Sequence, residues 1–414
     1  MRIHSSAFIR LSLVSLLSLS ILIGTGSGTV VLAQSSDSLA DAEPEYRLLR
    51  QEEDWSALRG RAAGPAWKAV SLTAGGPYLT LGGEVRTYAR WYRHERWGAG
   101  PDRDGYLLQR FMLHGAAETT LTDGLRMRGF AQLKSGLVTA RDGPVYPPDR
   151  DRLGVNQAFL ELGSAGPEHA WTLRVGRQEL HYGVGRMIAA REGPNVRLGM
   201  DAVWGRYRHG SWRVDAFVAT PTETPPGVLD NGWMPGRTLW GAHLRRSALD
   251  GPVLSAYYLG TARTPSPADP PLGATRHTIG ARVHGAAGPL RYDLEGAVQG
   301  GRYEHRNAAG AGPVRAWMGT AHLAYRRSDW RGQPTVGLKA DLSSGDRGAT
   351  APNETFVPPY PSGRYTGAGS RLGPGNLVNV RSYFGVRLGG GVAMQLRGHL
   401  FARLRATDGI YAIW

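Results

Sequence analysis

Apolar and polar residues alternate along most of the chain from Tyr78 onward. In the first such stretch, one parity carries Leu81, Val85 and Trp91, and the other carries Arg86 and Arg90. A period of two residues is typical of a β-strand with one apolar face and one polar face. The alternation therefore predicts a chain built from strands.

The same alternation recurs in units of about ten residues, each followed by a turn or a loop, and predicts about 15 strands. The connections differ by strand parity: those after even-numbered strands are short, as at 122–124 and 209–211, and those after odd-numbered strands are long, as at 135–150 and 343–376. The predicted strands begin near residues 78, 106, 125, 151, 171, 199, 212, 238, 253, 276, 290, 314, 333, 377 and 392.

Loop lengths distinguish two all-β architectures. Strands of a soluble sandwich also alternate, but a sandwich has no reason to separate short from long connections by strand parity. Outer-membrane barrels do so, with short periplasmic turns and long outer loops. If the apolar face meets lipid, the arginine-rich face must line a water-filled lumen, because burying an unpaired guanidinium is costly. We therefore predict a transmembrane antiparallel β-barrel over residues 78–414.

The odd strand count conflicts with this architecture. Bacterial single-chain barrels have an even number of strands and both termini on the periplasmic side. Either one strand escapes the count, or the chain lacks its last strands. We favour the second explanation.

The N-terminal residues predict export. Arg2 and Arg10 precede an apolar run over 11–23, and small residues precede Gln34. This predicts a secretory signal peptide over residues 1–33; a membrane anchor is the alternative, but the run is shorter than a typical span. Residues 34–77 are expected to form a polar periplasmic segment. The chain has no cysteine, so it has no disulfide and no thiolate metal site.

The net charge of the chain indicates which classes of molecule it binds. The chain has 49 Lys+Arg against 34 Asp+Glu, a formal net charge of +15, and Lys68, Lys134 and Lys339 are its only lysines. Guanidinium groups suit carboxylate, sulfate or phosphate partners, although a GC-rich genome gives the same bias. With 58 Gly and 26 Pro the chain could instead be a disordered nucleic-acid-binding protein. Export and regular alternation argue against a nucleic-acid partner.

Catalytic signatures are absent from the sequence: it has no G-x-S-x-G, no phosphate loop followed by Lys, no H-E-x-x-H, and no G-x-G-x-x-G that opens a helix. His114, His284, His322 and His399 fall on predicted inward faces without a ligand-spaced partner, so we read them as polar pore lining rather than as metal ligands. We expect no enzyme activity and no metal or cofactor. A Ser/His pair on adjacent strands would escape this inspection, which leaves an outer-membrane hydrolase open as an alternative.

The arginines concentrate at predicted inward positions and in one loop. The loop that follows the fifth strand carries several guanidiniums, and we expect it to fold into the lumen and attract anions there, with a solvated outer loop as the alternative. Arg177 shares a face with Val175 unless Gly176 makes a bulge. The candidate pore-lining or substrate-binding residues are Arg86, Arg90, Arg110, Arg128, Lys134, Arg174, Arg177, Arg191, Arg197, Asp201, Arg282, Arg381, Arg397 and Arg403.

An ordered set of short pieces resembles a known family. These pieces include YRLLRQEEDWSAL at 46–58, YLTLGGEVR at 78–86, VGRQEL at 175–180, ETFVPPYPSGRYTGAGS at 354–370 and RLRATDGIY at 403–411. Together they resemble the outer-membrane alginate export proteins.

The resemblance implies a barrel of about 18 strands, about three of them after the DGIY piece, whose arginine-lined lumen passes an alginate-like polyuronate without catalysis or cofactor. It also implies contact with outer-membrane lipid of a Gram-negative bacterium and with periplasmic secretion components. Because the family includes porin-like members with other substrates, a general anion-preferring porin for small solutes is the alternative.

Overall fold

The alternating stretches form strands that follow one another in a single antiparallel sheet. The computed structural model describes residues 14–23, 46–59, 65–95, 100–121, 124–166, 168–264, 273–303, 312–348, 352–363, 372–389 and 392–411. Its fifteen long strands from residue 78 onward are β1 (Tyr78–Arg93), β2 (Arg103–Thr120), β3 (Leu125–Thr139), β4 (Asp151–Ala165), β5 (His169–Gln178), β6 (Met200–His209), β7 (Trp212–Pro221), β8 (Arg237–Ser247), β9 (Val253–Arg263), β10 (Ala274–Ala287), β11 (Leu290–Tyr303), β12 (Gly312–Arg326), β13 (Thr335–Ser343), β14 (Leu377–Gly389) and β15 (Val392–Arg403).

Each long strand pairs antiparallel with the next one along the chain, from Tyr78 opposite Glu118 to Leu377 opposite Arg403. The predicted all-β, antiparallel β-barrel class is thereby confirmed. The predicted strand starts are close to the observed ones, and the largest offset is at β2, which begins at Arg103. Short 3-10 helices occur at Arg50–Glu52, Ser56–Leu58 and Pro147–Asp149.

The two edges of the β1–β15 series carry different partners. β1 pairs on its free side with the two-residue strand Val70–Ser71. β15 pairs with a strand formed by Val14–Ile23, in a register that places Ile23 opposite Val392. Among the described residues no ladder joins the β1 edge to the β15 edge, so the sheet is not closed. The predicted signal peptide includes Val14–Ile23; the rest of it, with the cleavage site after Ala33, lies outside the described residues.

The two rims of the sheet differ in connection length. One rim, called here the short-turn rim, carries the turns at 210–211 and 288–289. Gly210 and Gly288 adopt φ values of 52° and 56° in these turns, a region that favours glycine. The opposite long-loop rim carries connections such as 179–199 and 344–376. The loop asymmetry predicted from the sequence is therefore present.

The two faces of the sheet differ as the alternation requires. Outward side chains are apolar and exposed, as for Val85 at 72%, Leu113 at 63% and Val298 at 61% exposure. Inward side chains are largely polar and buried, such as Arg110 at 1% and Gln132 at 2%. No helix among the described residues is long and apolar enough to cross a membrane.

Candidate functional site

The connection between β5 and β6, residues 179–199, folds back against the inward face, and we call it the inward loop. Its middle residues Met187, Ile188, Ala189 and Ala190 are buried at 4%, 0%, 2% and 1% exposure. Three of its residues, Leu180, Met187 and Ile188, belong to an apolar cluster with inward residues of the β6–β9, β11 and β12 walls. This packing holds the loop inside the sheet, where the sequence analysis expects it.

Hydrogen bonds attach one side of the inward loop to β1, β2 and β3. The fully buried Asn195 donates through Nδ2 to the backbone oxygens of Gln109 at 3.0 Å and Leu137 at 3.1 Å. Arg86 on β1 donates to the backbone oxygens of Glu192 at 2.6 Å and Pro194 at 2.7 Å. These contacts fix the loop against the first strands.

Ion pairs attach the opposite side of the loop to β11. Arg186 reaches Asp293 at 3.2 Å and Glu295 at 2.5 Å. Arg282 on β10 pairs with the same Asp293 at 2.8 Å. The inward loop therefore crosses the interior from the β1–β3 wall to the β11 wall and narrows the space between them.

Most candidate cations on the inward face or in this loop have a carboxylate partner. Such pairing lowers the cost of keeping a guanidinium in a partly dehydrated interior. The pairs are Arg86–Glu192 at 3.5 Å, Arg90–Asp149 at 3.9 Å, Arg110–Glu84 at 2.5 Å, Arg128–Glu118 at 3.2 Å, Lys134–Asp151 at 3.8 Å, Arg174–Glu161 at 2.6 Å, Arg197–Glu179 at 2.8 Å and Arg282–Asp293 at 2.8 Å.

Arg177 and Asp201 lie elsewhere. They pair with each other at 2.8 Å, but they occupy the parity of the exposed outward residues Val175 and Val203. Gly176 adopts a φ of 130°, yet the register on both sides of β5 continues without a shift. The expectation that these two residues line the interior is therefore corrected: strand parity carries them to the outward side near the long-loop rim.

A second group of candidate cations has no salt bridge among the described residues. Arg191 lies in the inward loop, with its guanidinium carbon 5.9 Å from the ring centroid of Tyr360. Arg381 and Arg397 are half-buried at inward positions of β14 and β15. Arg403, at the end of β15, is exposed and donates only to the backbone oxygens of Ala406 and Asp408. Uncompensated positive charge is therefore concentrated away from β1–β6.

Residues 46–58, called here the N-terminal strap, also lie against the inward face. Gln51, at 2% exposure, donates to the backbone oxygen of Glu179 at 3.0 Å, and its own backbone oxygen accepts from Arg128. Arg197 donates to the backbone oxygen of Leu48 at 2.8 Å, and Glu52 lies 3.7 Å from Arg206. The strap thus brings carboxylates to the basic interior near the short-turn rim.

Lys68 fixes the end of the strap. Its amine lies 3.8 Å from Glu53 and 4.3 Å from the ring centroid of Trp55. Burial lowers the pKa of Lys68, and Glu53 opposes that shift. Trp55, Ala69 and Tyr78 pack together beside this pair, which joins the strap to the start of β1.

Two features of this interior have no clear signal in the sequence. Glu192 contacts Arg86, Arg110 and Arg197, and its place in the predicted inward loop is the only sign of this counter-ion role. The position of the N-terminal strap could not be inferred either. The only signal for it was the acidic run 52–54, which complements a basic interior.

The inward histidines do not assemble a metal centre in the described part of the chain. His114 is buried at 4% exposure and stacks on Phe130 at 5.6 Å between ring centroids. His322 contacts the Tyr383 hydroxyl at 3.0 Å. Within the described ranges, no group of three or more His, Asp or Glu residues is arranged to hold a metal ion.

Comparisons place this architecture among known proteins. No curated protein matches the sequence. Solved structures similar to this one include OccK8 (OprE) of Pseudomonas aeruginosa, with 10% identity, 79% of this chain and 97% of that chain covered, and a TM-score of 0.44. An anion-selective porin from Comamonas acidovorans is similar with 11% identity, coverage of 79% and 99%, and a TM-score of 0.39.

A family model gives the identification. The model described as alginate export matches residues 77–413, which include all fifteen long strands. Together with the antiparallel β-barrel class, this match shows that the chain belongs to the alginate export family and is an outer-membrane β-barrel channel protein.

Proposed function

We propose that this channel passes an anionic, alginate-like polyuronate across the outer membrane of a Gram-negative bacterium through an arginine-lined interior. The observation that carries the proposal is the set of arginines on the inward face and in the inward loop. An ordinary protein core has apolar side chains at such positions. A polyuronate presents one carboxylate per sugar, and an interior with guanidinium groups lowers the barrier for such a chain while it repels cations.

The carboxylates beside these arginines favour passage of an anionic polymer over tight binding of it. Conduction requires contacts weak enough for release, and several successive sites serve this better than one tight site. Glu192 and Glu84 share Arg110, and Asp293 shares Arg186 with Glu295. Paired arginines of this kind can attract a passing carboxylate without holding it. The role is that of a channel and not of an enzyme, and it needs no cofactor.

The proposal extends to neighbours of the channel. The N-terminal strap and the start of β1 lie near the short-turn rim, which faces the periplasm in this arrangement, so periplasmic secretion components would deliver the polymer there. The outward apolar residues would contact outer-membrane lipid. Residues 1–33 would act as the signal peptide that directs export.

A general anion-preferring porin for small solutes is the second candidate. The observation that favours it is the extensive pairing of arginines with carboxylates, which leaves a modest surplus of positive charge on the β1–β6 walls. A modest surplus favours anions of any size and does not select a polymer.

Single-channel current in a planar bilayer distinguishes the two candidates. The full chain is inserted, the chloride/potassium permeability ratio is measured, and a short oligouronate or a neutral oligosaccharide of the same length is then added. Anion selectivity with current blocked by the oligouronate alone supports the polyuronate channel. An open channel indifferent to both sugars supports the general porin, and absence of a channel rejects both.

A further inference from the structure

The inward wall formed by β13, β14 and β15 differs from the β1–β5 walls in its charge pairing. Arg381 and Arg397 lie there without a salt bridge in the described part of the chain, whereas Arg86, Arg110 and Arg174 on other walls each have a carboxylate partner. The Nε of Arg381 is buried and has no hydrogen-bond partner. Nδ1 of His399 is also buried without a partner. Nε of Arg197 is also without a hydrogen-bond partner, but the charge of Arg197 is paired with Glu179. At Arg381 a buried polar atom without a partner coincides with a charge that has no described salt bridge, which indicates a place where an acceptor is expected to bind.

Strand register brings these groups together. Lys339 on β13 lies opposite Arg381 on β14, and Arg381 lies opposite His399 on β15. Arg397 lies opposite Tyr383, two residues along from the Arg381–His399 pair. Side chains opposite each other across an antiparallel pair are about 5 Å apart at Cβ, and diagonal neighbours about 7–8 Å apart, so both guanidiniums can reach a single acidic group.

The carboxylate of Asp341, which lies beside Arg381 on the same wall, is already engaged. Asp341 on β13 pairs with Lys339 at 3.0 Å and accepts hydrogen bonds from Thr320 and Asn379, each at 2.8 Å. It is buried at 2% exposure and has little capacity left for Arg381. Asp341 forms its salt bridge with Lys339 and not with Arg381, so it compensates the charge of Arg381 only in part.

Tyr383 beside the two arginines is itself engaged, and Arg397 keeps its terminal donors available. The ring of Tyr383 lies over Gly337, where a Cβ would come within 2.2 Å of it, and its hydroxyl contacts His322 at 3.0 Å. Arg397 donates through Nε to Gln395, which leaves both terminal nitrogens without a described partner. A planar guanidinium with free terminal nitrogens is suited to bidentate contact with a carboxylate.

We propose that Arg381 and Arg397, with His399 beside them, form a binding site for the carboxylate group of an acidic sugar on the β13–β15 wall, called here the Arg381 site. This inference rests on the proposed function and deepens it, because it assigns the strongest contact along the path to one wall. The paired arginines elsewhere attract the polymer, and the Arg381 site binds one carboxylate at a time.

The test is current block by a short oligouronate in planar bilayers, measured on the full chain. Removing both charge-assisted contacts in the double variant R381Q/R397Q should raise the half-blocking concentration about tenfold or more. R381K/R397K keeps the charge but loses the paired guanidinium donors. Its half-blocking concentration should lie between those of the double Gln variant and the unmodified protein. The matched control R327Q/R331Q removes the same charge at the short turn after β12, where Arg331 is exposed, and should leave the block unchanged.

The outcomes separate the two proposals. Block of the unmodified channel that is equally strong in R381Q/R397Q overturns the Arg381 site and leaves the polyuronate channel in place. No block of the unmodified channel overturns both. A weaker block in R381Q/R397Q and in R327Q/R331Q alike means that net charge alone is responsible, and also overturns the site. Because the double Gln variant could fail to fold, heat-dependent gel migration is recorded for each variant, and R381K/R397K carries the test if R381Q/R397Q does not fold.

Discussion

At the scale of single residues, the interior is organised by which arginine has a carboxylate and which does not. Glu192 is the clearest case, because its Oε1 contacts Arg110 and lies 3.5 Å from Arg86, and its Oε2 lies 3.4 Å from Arg197. One acidic side chain of the inward loop thus compensates cations from two strands and from its own loop. This makes Glu192 the residue whose charge most directly sets the surplus on the β1–β2 wall.

Glu192→Gln is expected to increase anion selectivity. The amide keeps an oxygen for hydrogen bonds but removes one negative charge from the interior, so the local potential becomes more positive. The reversal potential in a salt gradient should move towards the chloride equilibrium potential. Glu168→Gln, an exposed position at the turn between β4 and β5, gives the same change of charge outside the interior. Equal reversal potentials for the two variants would contradict the role given to Glu192.

Asp408 anchors a loop on the long-loop rim through hydrogen bonds. It accepts hydrogen bonds from the backbone nitrogen of Asp346 at 2.8 Å, from Thr355 at 2.7 Å and from Tyr411 at 2.6 Å. We expect Asp408→Asn to cost about 1–3 kcal/mol of local stability, because an amide nitrogen replaces one of the two carboxylate oxygens and cannot accept the bonds made to it. Trypsin should then cut faster after the exposed Arg347. Asp329→Asn, on the opposite rim, should leave that rate unchanged, and an equal rate in all three proteins would show that Asp408 does not anchor the loop.

The stability that the Asp408 carboxylate gives to this loop should depend on pH. Burial acts to raise the pKa of Asp408, but hydrogen bonds from Tyr411, Asp346 and Thr355 outweigh it and lower the pKa below 3.8. A carboxyl group whose pKa is lower in the folded state contributes stability above its unfolded pKa and loses it as the pH falls through the folded value. Hydrogen-exchange protection of the Asp346 amide should therefore decrease below about pH 4. Asp408→Asn should show weak protection without that pH dependence, and a pH-independent result in the unmodified protein would refute the assignment.

At the scale of elements, the N-terminal strap fills part of the interior near the short-turn rim. It meets Arg128 on β3, Arg206 on β6 and Arg197 in the inward loop, so it occupies space and compensates charge together. Replacing residues 46–58 by a Gly/Ser linker of the same length should raise single-channel conductance and anion selectivity. Trp55→Phe keeps an aromatic ring beside Lys68 and should change neither quantity. Unchanged conductance of the linker variant would mean that the strap lies outside the conducting path.

Strand positions could be predicted from the sequence because the outward and inward faces of the sheet carry opposite kinds of side chain at every second residue. Val85 and Arg86 show this, one exposed on the outward face and the other bonded to the inward loop. The charge pairs could not be predicted, because they depend on the path of loops. Arg86 and Glu192 are 106 residues apart and meet only because residues 179–199 cross the interior. Arg177 was misplaced for the opposite reason: only a bulge at Gly176 would have turned it inward, and the ladder continues there without a register shift, so simple parity decides its face.

At the scale of the whole molecule, the outward face is a band of exposed apolar side chains that continues from strand to strand. Ile279 on β10, Val298 on β11 and Trp317 on β12 lie opposite one another in register, at 61%, 61% and 44% exposure. Such a band is unfavourable in water and favourable in hydrocarbon. The proposed function therefore requires lipid around this face.

A charge placed in the band tests that requirement. Val298 lies in the middle of its strand, so Val298→Arg should reduce the free energy of unfolding in lipid vesicles by about 2–4 kcal/mol, the cost of an arginine near the bilayer midplane. Leu249 is the matched control: it is fully exposed, at 102%, but belongs to the turn between β8 and β9 on the short-turn rim. Leu249→Arg should change the unfolding free energy by much less, because its guanidinium stays in water. Equal and small effects of the two substitutions would mean that β11 faces water on its outward side, and the inward arginines would then lose the physical reason to line a channel.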